Sequence, residues 1–162
     1  MTDPAHAEGR VLALDLGRKR IGLAISDELG ITAQGLETLH RTNMREDLAR
    51  LAELIASRGV TRIVLGNPLH MSGREGRQSE WVKQFAERLA AFTTRPVALW
   101  DERLTSVEAG RVLRASGISI QKRARAVDRL SAVLLLESYL DAGRLAGSAE
   151  GEPARASAGG CR

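Results

Sequence analysis

The chain has 162 residues, 43% of them hydrophobic and 27% charged, with a net charge of +4; this is enough for one domain with a closed core. No apolar run approaches a membrane span, and MTDPAHAEGR lacks the basic start and apolar core of a secretion signal. The single cysteine, Cys161, excludes an intrachain disulfide and a cysteine-based metal site, so a cytoplasmic protein is expected.

Residues 1–9 read as a flexible leader. The run at 11–16 has the unbroken apolar character of a central strand covered on both faces. Residues 21–26 form a second strand, and Gly17-Arg18-Lys19-Arg20 makes the turn between them. Asp27-Glu28-Leu29-Gly30 is a further turn into a third strand at 31–39, so the first three strands form an antiparallel meander.

The period then changes. Leu48, Leu51, Leu54 and Ile55 lie at helical spacing within 44–57, after the capping candidates Thr42 and Asn43 and before the stop signal Gly59. Residues 62–66 form a buried strand that ends in Asn67-Pro68. A polar loop follows at 70–76, then a helix at 78–92 with Val82, Phe85 and Leu89 as its stripe. Residues 97–100 form a fifth strand, and helices are expected at 106–115 and 125–140. From 144 to 162 the composition is Gly, Ala, Ser, Glu and Arg without periodicity, which predicts a disordered tail after a domain at 10–143. The class is α/β: a five-stranded mixed sheet flanked by helices, in the element order of the RNase H-like fold.

Three acids stand where acids are costly. Asp15 shares a pleat face with Val11 and Ala13 near a strand end, and burying a carboxylate without a partner costs several kcal/mol. An arginine, a ring of backbone N–H groups or a cation would offset that cost; the structural alternative is a turn aspartate that caps the following loop. In Asp101-Glu102-Arg103-Leu104-Thr105-Ser106, the acids follow a strand at its carboxyl end, a usual place for ligand chemistry, unless they are solvated charges paired with Arg103. Asp128 shares a helix face with Ser131, Ala132, Leu135 and Tyr139, which points it toward the sheet; the alternative is a helix N-terminal charge that favours the dipole. Carboxylates converging at one sheet edge suit Mg²⁺ or Mn²⁺, and such ions support phosphodiester hydrolysis.

Of the 24 basic residues only Lys19, Lys83 and Lys122 are lysine, and arginine pairs phosphate bidentately. Codon bias toward arginine and alanine is the competing explanation. Between Arg111 and Arg129 six bases accompany one acid, Asp128, whereas a solvated helix face usually mixes signs. The histidines are His6, His40 and His70, none with a partner acid at telling spacing.

The motifs resemble those of the YqgF family, also called RuvX, over about residues 11–141. Asp15-Leu16-Gly17-Arg18-Lys19-Arg20-Ile21-Gly22 matches the opening D-x-G-x-x-R-I-G, and Gly66-Asn67-Pro68 with Gly73 matches the G-x-P loop. Asp101 to Ser106 matches D-E-R-L-T-[TS], and Lys122 to Asp128 running into Ala132 matches the basic loop and D-x-x-[AS]-A helix. The resemblance implies an RNase H-like fold and a metal-dependent nuclease site of Asp15, Glu102 and Asp128, using Mg²⁺ or Mn²⁺. It also implies a role at the 5′ end of precursor 16S rRNA, on ribosomal particles, or alternatively in resolving four-way DNA junctions. RuvC-like resolvases usually carry an additional acid near the last-helix aspartate; here Val127 and Arg129 flank Asp128, which weakens the junction reading.

Arg18, Lys19, Arg20, Arg103, Lys122, Arg123 and Arg125 are the candidates for phosphate contacts, although Arg20 could instead pair with Asp15. Aromatic residues make up 3% of the chain, too few for single-strand recognition by stacking, so a structured RNA or junction is the expected partner. The assembly is a monomer or homodimer, without membrane association. Two alternatives remain: an actin-like or sugar-kinase ATPase, which needs two such domains, and a non-catalytic binding factor whose acids hold arginines.

Overall fold

A computed structural model describes residues 9–67, 77–101 and 129–143. The strands are β1 (Arg10–Leu16), β2 (Arg20–Ser26), β3 (Ala33–Gly35), β4 (Leu39–His40), β5 (Val60–Asn67) and β6 (Val97–Asp101). The helices are α1 (Met44–Arg58), α2 (Arg77–Thr93) and α3, described over residues 129–143. None of these helices is long and apolar enough to cross a membrane.

The sheet runs β3-β2-β1-β5-β6, with β4 also on β2. β1, β2 and β3 are antiparallel neighbours, whereas β5 and β6 join β1 in parallel. The expected meander and mixed sheet are both present. The third strand predicted at 31–39 is instead two short strands along the edge of β2. Gly35 opposes Ala24 and Leu39 opposes Ile21, so four steps on one strand span three on the other. One extra residue bulges out of the ladder there, ending β3 and restarting pairing as β4.

Alternation along β1 sorts the core into two layers. Leu12, Leu14 and Leu16 pack with Leu51 and Ile55 of α1 and with Val82, Phe85 and Leu89 of α2. Val11 and Ala13 face the other way, against Ala132, Leu135 and Leu136 of α3. Of the stripe residues read from spacing, Leu48, Leu51, Ile55, Val82, Phe85, Leu89, Ser131, Ala132 and Leu135 are buried, and Leu54 and Tyr139 are half-buried.

Helix α1 carries its own boundaries. The Asn43 side-chain oxygen accepts from the Glu46 backbone N–H at 2.9 Å, and Gly59 closes the helix in the left-handed region at φ 67°, its N–H donating to the Ile55 carbonyl. Asn43→Ala removes that acceptor and is expected to lower stability by about 1 kcal/mol, read as a reduced urea midpoint with unchanged slope. In the β2–β3 turn the Thr32 backbone N–H, joined by that of Ile31, holds the Asp27 carboxyl below its usual range.

The helix expected at 106–115, the loop at 70–76, residues 125–128 and the tail at 144–162 lie outside the described residues, as does the leader apart from Gly9.

Candidate active site

The parallel strands β1, β5 and β6 deliver their carboxyl ends to one edge of the sheet, where ligands bind in open α/β folds. Asp15 stands there, half-buried, two residues beyond Ala13 and hence on the face covered by α3. Its partner on β2 is Gly22. On β5 the register pairs Leu14 with Leu65, so the next step sets Gly66 beside Asp15. The acid is thus flanked across both neighbouring strands by residues without side chains. Next across the sheet, Gly66 pairs with Trp100 of β6.

Trp100 is pinned to α3. Its Nε1–H donates to Ser138 Oγ at 3.1 Å, and its ring meets Tyr139 edge-on at 5.4 Å and 87°. Arg62 in turn donates to the Tyr139 hydroxyl at 2.8 Å. Strand β6 continues one residue past the predicted end, to Asp101, so Glu102 is the residue that follows the strand.

The course of α3 is readable from two glycines. A Cβ on Gly35 would lie 2.5 Å from Arg129 Cγ, and one on Gly30, beyond the far end of β2, would lie 3.6 Å from Leu140. Since Gly35 is at the level of Ala24 and Ala13, the described part of α3 runs antiparallel to β1, away from the Asp15 edge. Asp128 immediately precedes Arg129 in the chain. The Ser131 hydroxyl, in the first described turn of α3, is buried without a hydrogen-bond partner among the described residues.

The turn after Asp15 is tight. Gly17 N–H donates to the Arg20 carbonyl at 2.9 Å, and a Cβ on Gly17 would lie 2.6 Å from that oxygen. Arg18 and Lys19 are exposed at its tip, and Arg20 is half-buried at the start of β2. The turn is braced from below by Arg41, whose Nη1 donates to the Gly17 carbonyl at 3.1 Å and whose backbone N–H donates to the Lys19 carbonyl at 2.9 Å. Arg41 Nε donates to Asp47 Oδ2 at 3.1 Å, and Thr42 N–H donates to the other carboxylate oxygen at 3.1 Å.

Asp47, not Asp15, is the fully buried acid of the described chain. Sequence reasoning missed it, although its spacing of four from Leu51 and eight from Ile55 put it on the buried face of α1. Trp81, read as packing, does pack, but it also stacks under the Arg41 guanidinium at 5.0 Å.

At the end of β5, buried Asn67 accepts from Ser79 Oγ at 2.6 Å, which ties the strand end to the start of α2. His40 lies on β4 opposite Arg20, and its backbone carbonyl accepts from Arg50.

Of the predicted site residues, Asp15, Arg18, Lys19 and Arg20 come together at this edge. Glu102, Arg103, Lys122, Arg123, Arg125 and Asp128 lie outside the described residues. The donor chemistry fits a hard divalent cation: a carboxylate in a half-buried position at the carboxyl ends of the parallel strands.

A family profile described as "RuvX: Holliday junction resolvase" matches residues 9–142. The chain belongs to the RuvX family. A relative from Koribacter versatilis (strain Ellin345), named "Putative pre-16S rRNA nuclease", is 54% identical over 87% of this chain and 92% of its own length. Another of the same name, from Syntrophus aciditrophicus (strain SB), is 50% identical over 82% of this chain and 89% of its own length. Among solved structures, T. thermophilus RuvC in complex with Holliday junction substrate superposes with a TM-score of 0.54 at 16% identity, covering 83% of this chain and 96% of that one. That likeness is one of fold, and the fold is RNase H-like.

Proposed function

We propose that the protein is a divalent-metal-dependent nuclease that hydrolyses phosphodiester bonds in precursor 16S rRNA near its mature 5′ end. The observation that carries this reading is Asp15, set between Gly22 and Gly66 at the sheet edge toward which β6 runs to Asp101 and away from which the described part of α3 runs from Arg129. Chain neighbours of Asp101 and Arg129 are Glu102 and Asp128. In this reading Asp15, Glu102 and Asp128 would hold Mg²⁺ or Mn²⁺.

The chemistry supplied by such ions is deprotonation of an attacking water and stabilisation of charge on the leaving oxygen. The protein's own residues bind and orient. Arg18 and Lys19 at the exposed tip of the β1–β2 turn, with Arg20 beside them, take backbone phosphates on one side of Asp15. Arg103, Lys122, Arg123 and Arg125 are the further candidates for phosphate contacts. The low aromatic content favours a substrate held by phosphates and shape, as folded RNA in a pre-ribosomal particle would be.

Precursor rRNA is preferred over a four-way junction because the matched relatives carry the rRNA name over nearly their whole length. A single cut per RNA also needs one active site, whereas symmetric junction cleavage needs a pair.

The test is cleavage of a labelled RNA spanning the precursor 5′ end, beside a four-way DNA junction, in Mg²⁺ and in Mn²⁺. Specific RNA cleavage that EDTA abolishes and added metal restores is expected. Cleavage of the junction alone would move the substrate to DNA, and cleavage indifferent to EDTA would remove the metal.

A further inference from the structure

We propose that Arg41 is a positioning residue for this nuclease site: anchored on buried Asp47 and stacked on two rings of α2, it locks the turn that follows Asp15. The inference rests on the nuclease reading above and extends it to a residue on the opposite side of the turn from the substrate.

Five contacts define the device. The Asp47 side chain is 1% exposed and that of Arg41 12%, so their 3.1 Å contact is shielded from water. The guanidinium carbon lies 5.0 Å from the Trp81 ring centre and 5.6 Å from that of Phe85, which confines the plane of the fork. With Nε committed to Asp47, Nη1 is aimed at the Gly17 carbonyl, and the Arg41 backbone N–H takes the Lys19 carbonyl.

The turn is closed by the backbone bond from Gly17 to Arg20, and it carries the exposed bases Arg18 and Lys19. Without Arg41 it would hinge about Gly17, two residues from Asp15. A rigid support beneath it sets both the carboxylate's direction and the distance from carboxylate to phosphate-binding bases. Arginine is required because one planar group must donate to a carboxylate and a carbonyl at once while stacking; an ammonium on a flexible stem does one or the other. Asp47 supplies both oxygens, one to Arg41 and one to the Thr42 N–H, so the anchor belongs to α1 and not to the β1–β2 turn.

The experiment compares Arg41→Lys with wild type and with Arg50→Ala, whose guanidinium reaches the His40 carbonyl and Thr42 Oγ1 instead. Lysine keeps a cation opposite Asp47, so the protein is expected to fold. Hydrogen exchange on the full chain should show the Gly17–Arg20 amides opening about tenfold faster in Arg41→Lys, with β5 amides unchanged. The kcat on precursor RNA should fall by about a hundredfold with little change in KM, and half-activation should need more Mg²⁺. Arg50→Ala should match wild type on each measure.

Turn amides as protected as in wild type, or kinetics that stay at wild-type values while the turn loosens, would overturn the positioning role and leave the nuclease reading standing. A wild-type chain without metal-dependent cleavage removes the nuclease reading, and the exchange result still decides whether Arg41 locks the turn.

Discussion

Asp15→Asn is expected to lower kcat/KM by about a thousandfold or more while the protein still folds. The substitution keeps the shape of the side chain and removes the charge that would ligate a divalent cation. Metal stabilisation of charge in phosphodiester cleavage is worth several kcal/mol, and each 1.4 kcal/mol is about tenfold in rate. Asp15 is half-buried at a strand end, and asparagine keeps its volume and one hydrogen-bond-accepting oxygen. The melting temperature in metal-free buffer should therefore stay within a few degrees of wild type. Two measurements check this: single-turnover cleavage at saturating Mn²⁺, and Mn²⁺ binding followed by isothermal titration. Loss of cleavage with retained Mn²⁺ affinity would relocate the metal away from Asp15. Retained cleavage would return this acid to the role of a turn cap.

Asp47→Ala is expected to be the most damaging single change to stability outside the apolar core. It strips the Arg41 guanidinium, 12% exposed, of its fully buried anion and leaves the Thr42 N–H without its acceptor. Breaking a buried pair by removing one partner costs about 3–5 kcal/mol, because a charge is left uncompensated in a poorly hydrated place. Equilibrium urea unfolding should show that loss as a lower midpoint. The neighbouring Glu46→Ala, at an exposed position where the carboxylate meets Thr42 Oγ1, should cost far less. Equal losses at the two positions would mean that Asp47 is no more shielded than its neighbour.

Much of the scaffold is legible in the amino-acid sequence. The apolar run of β1, the periodic stripes of α1 and α2, and the stop at Gly59 are local signals, set by residues three to eight positions apart. The observed bounds differ from the expected ones by a residue or two. The motif carrying Asp15 is legible too, because a lone acid ending an apolar run is conspicuous in one dimension.

Three features are decided only by the tertiary structure. The split of the third strand into β3 and β4 depends on a bulge against β2, which exists only once the strands pair. The glycine flanks of Asp15 are 7 and 51 positions away in the chain and become its neighbours through antiparallel and parallel register. The brace from Asp47 through Arg41 to the Gly17 carbonyl spans 24 residues between donor and acceptor, with rings from α2 completing it. Sequence alone determined which segments are strands or helices and which acid sits oddly, because those depend on the alternation of apolar and polar residues over a few positions. Which groups surround that acid was left to the fold, because register and layer packing bring together residues that no local pattern links.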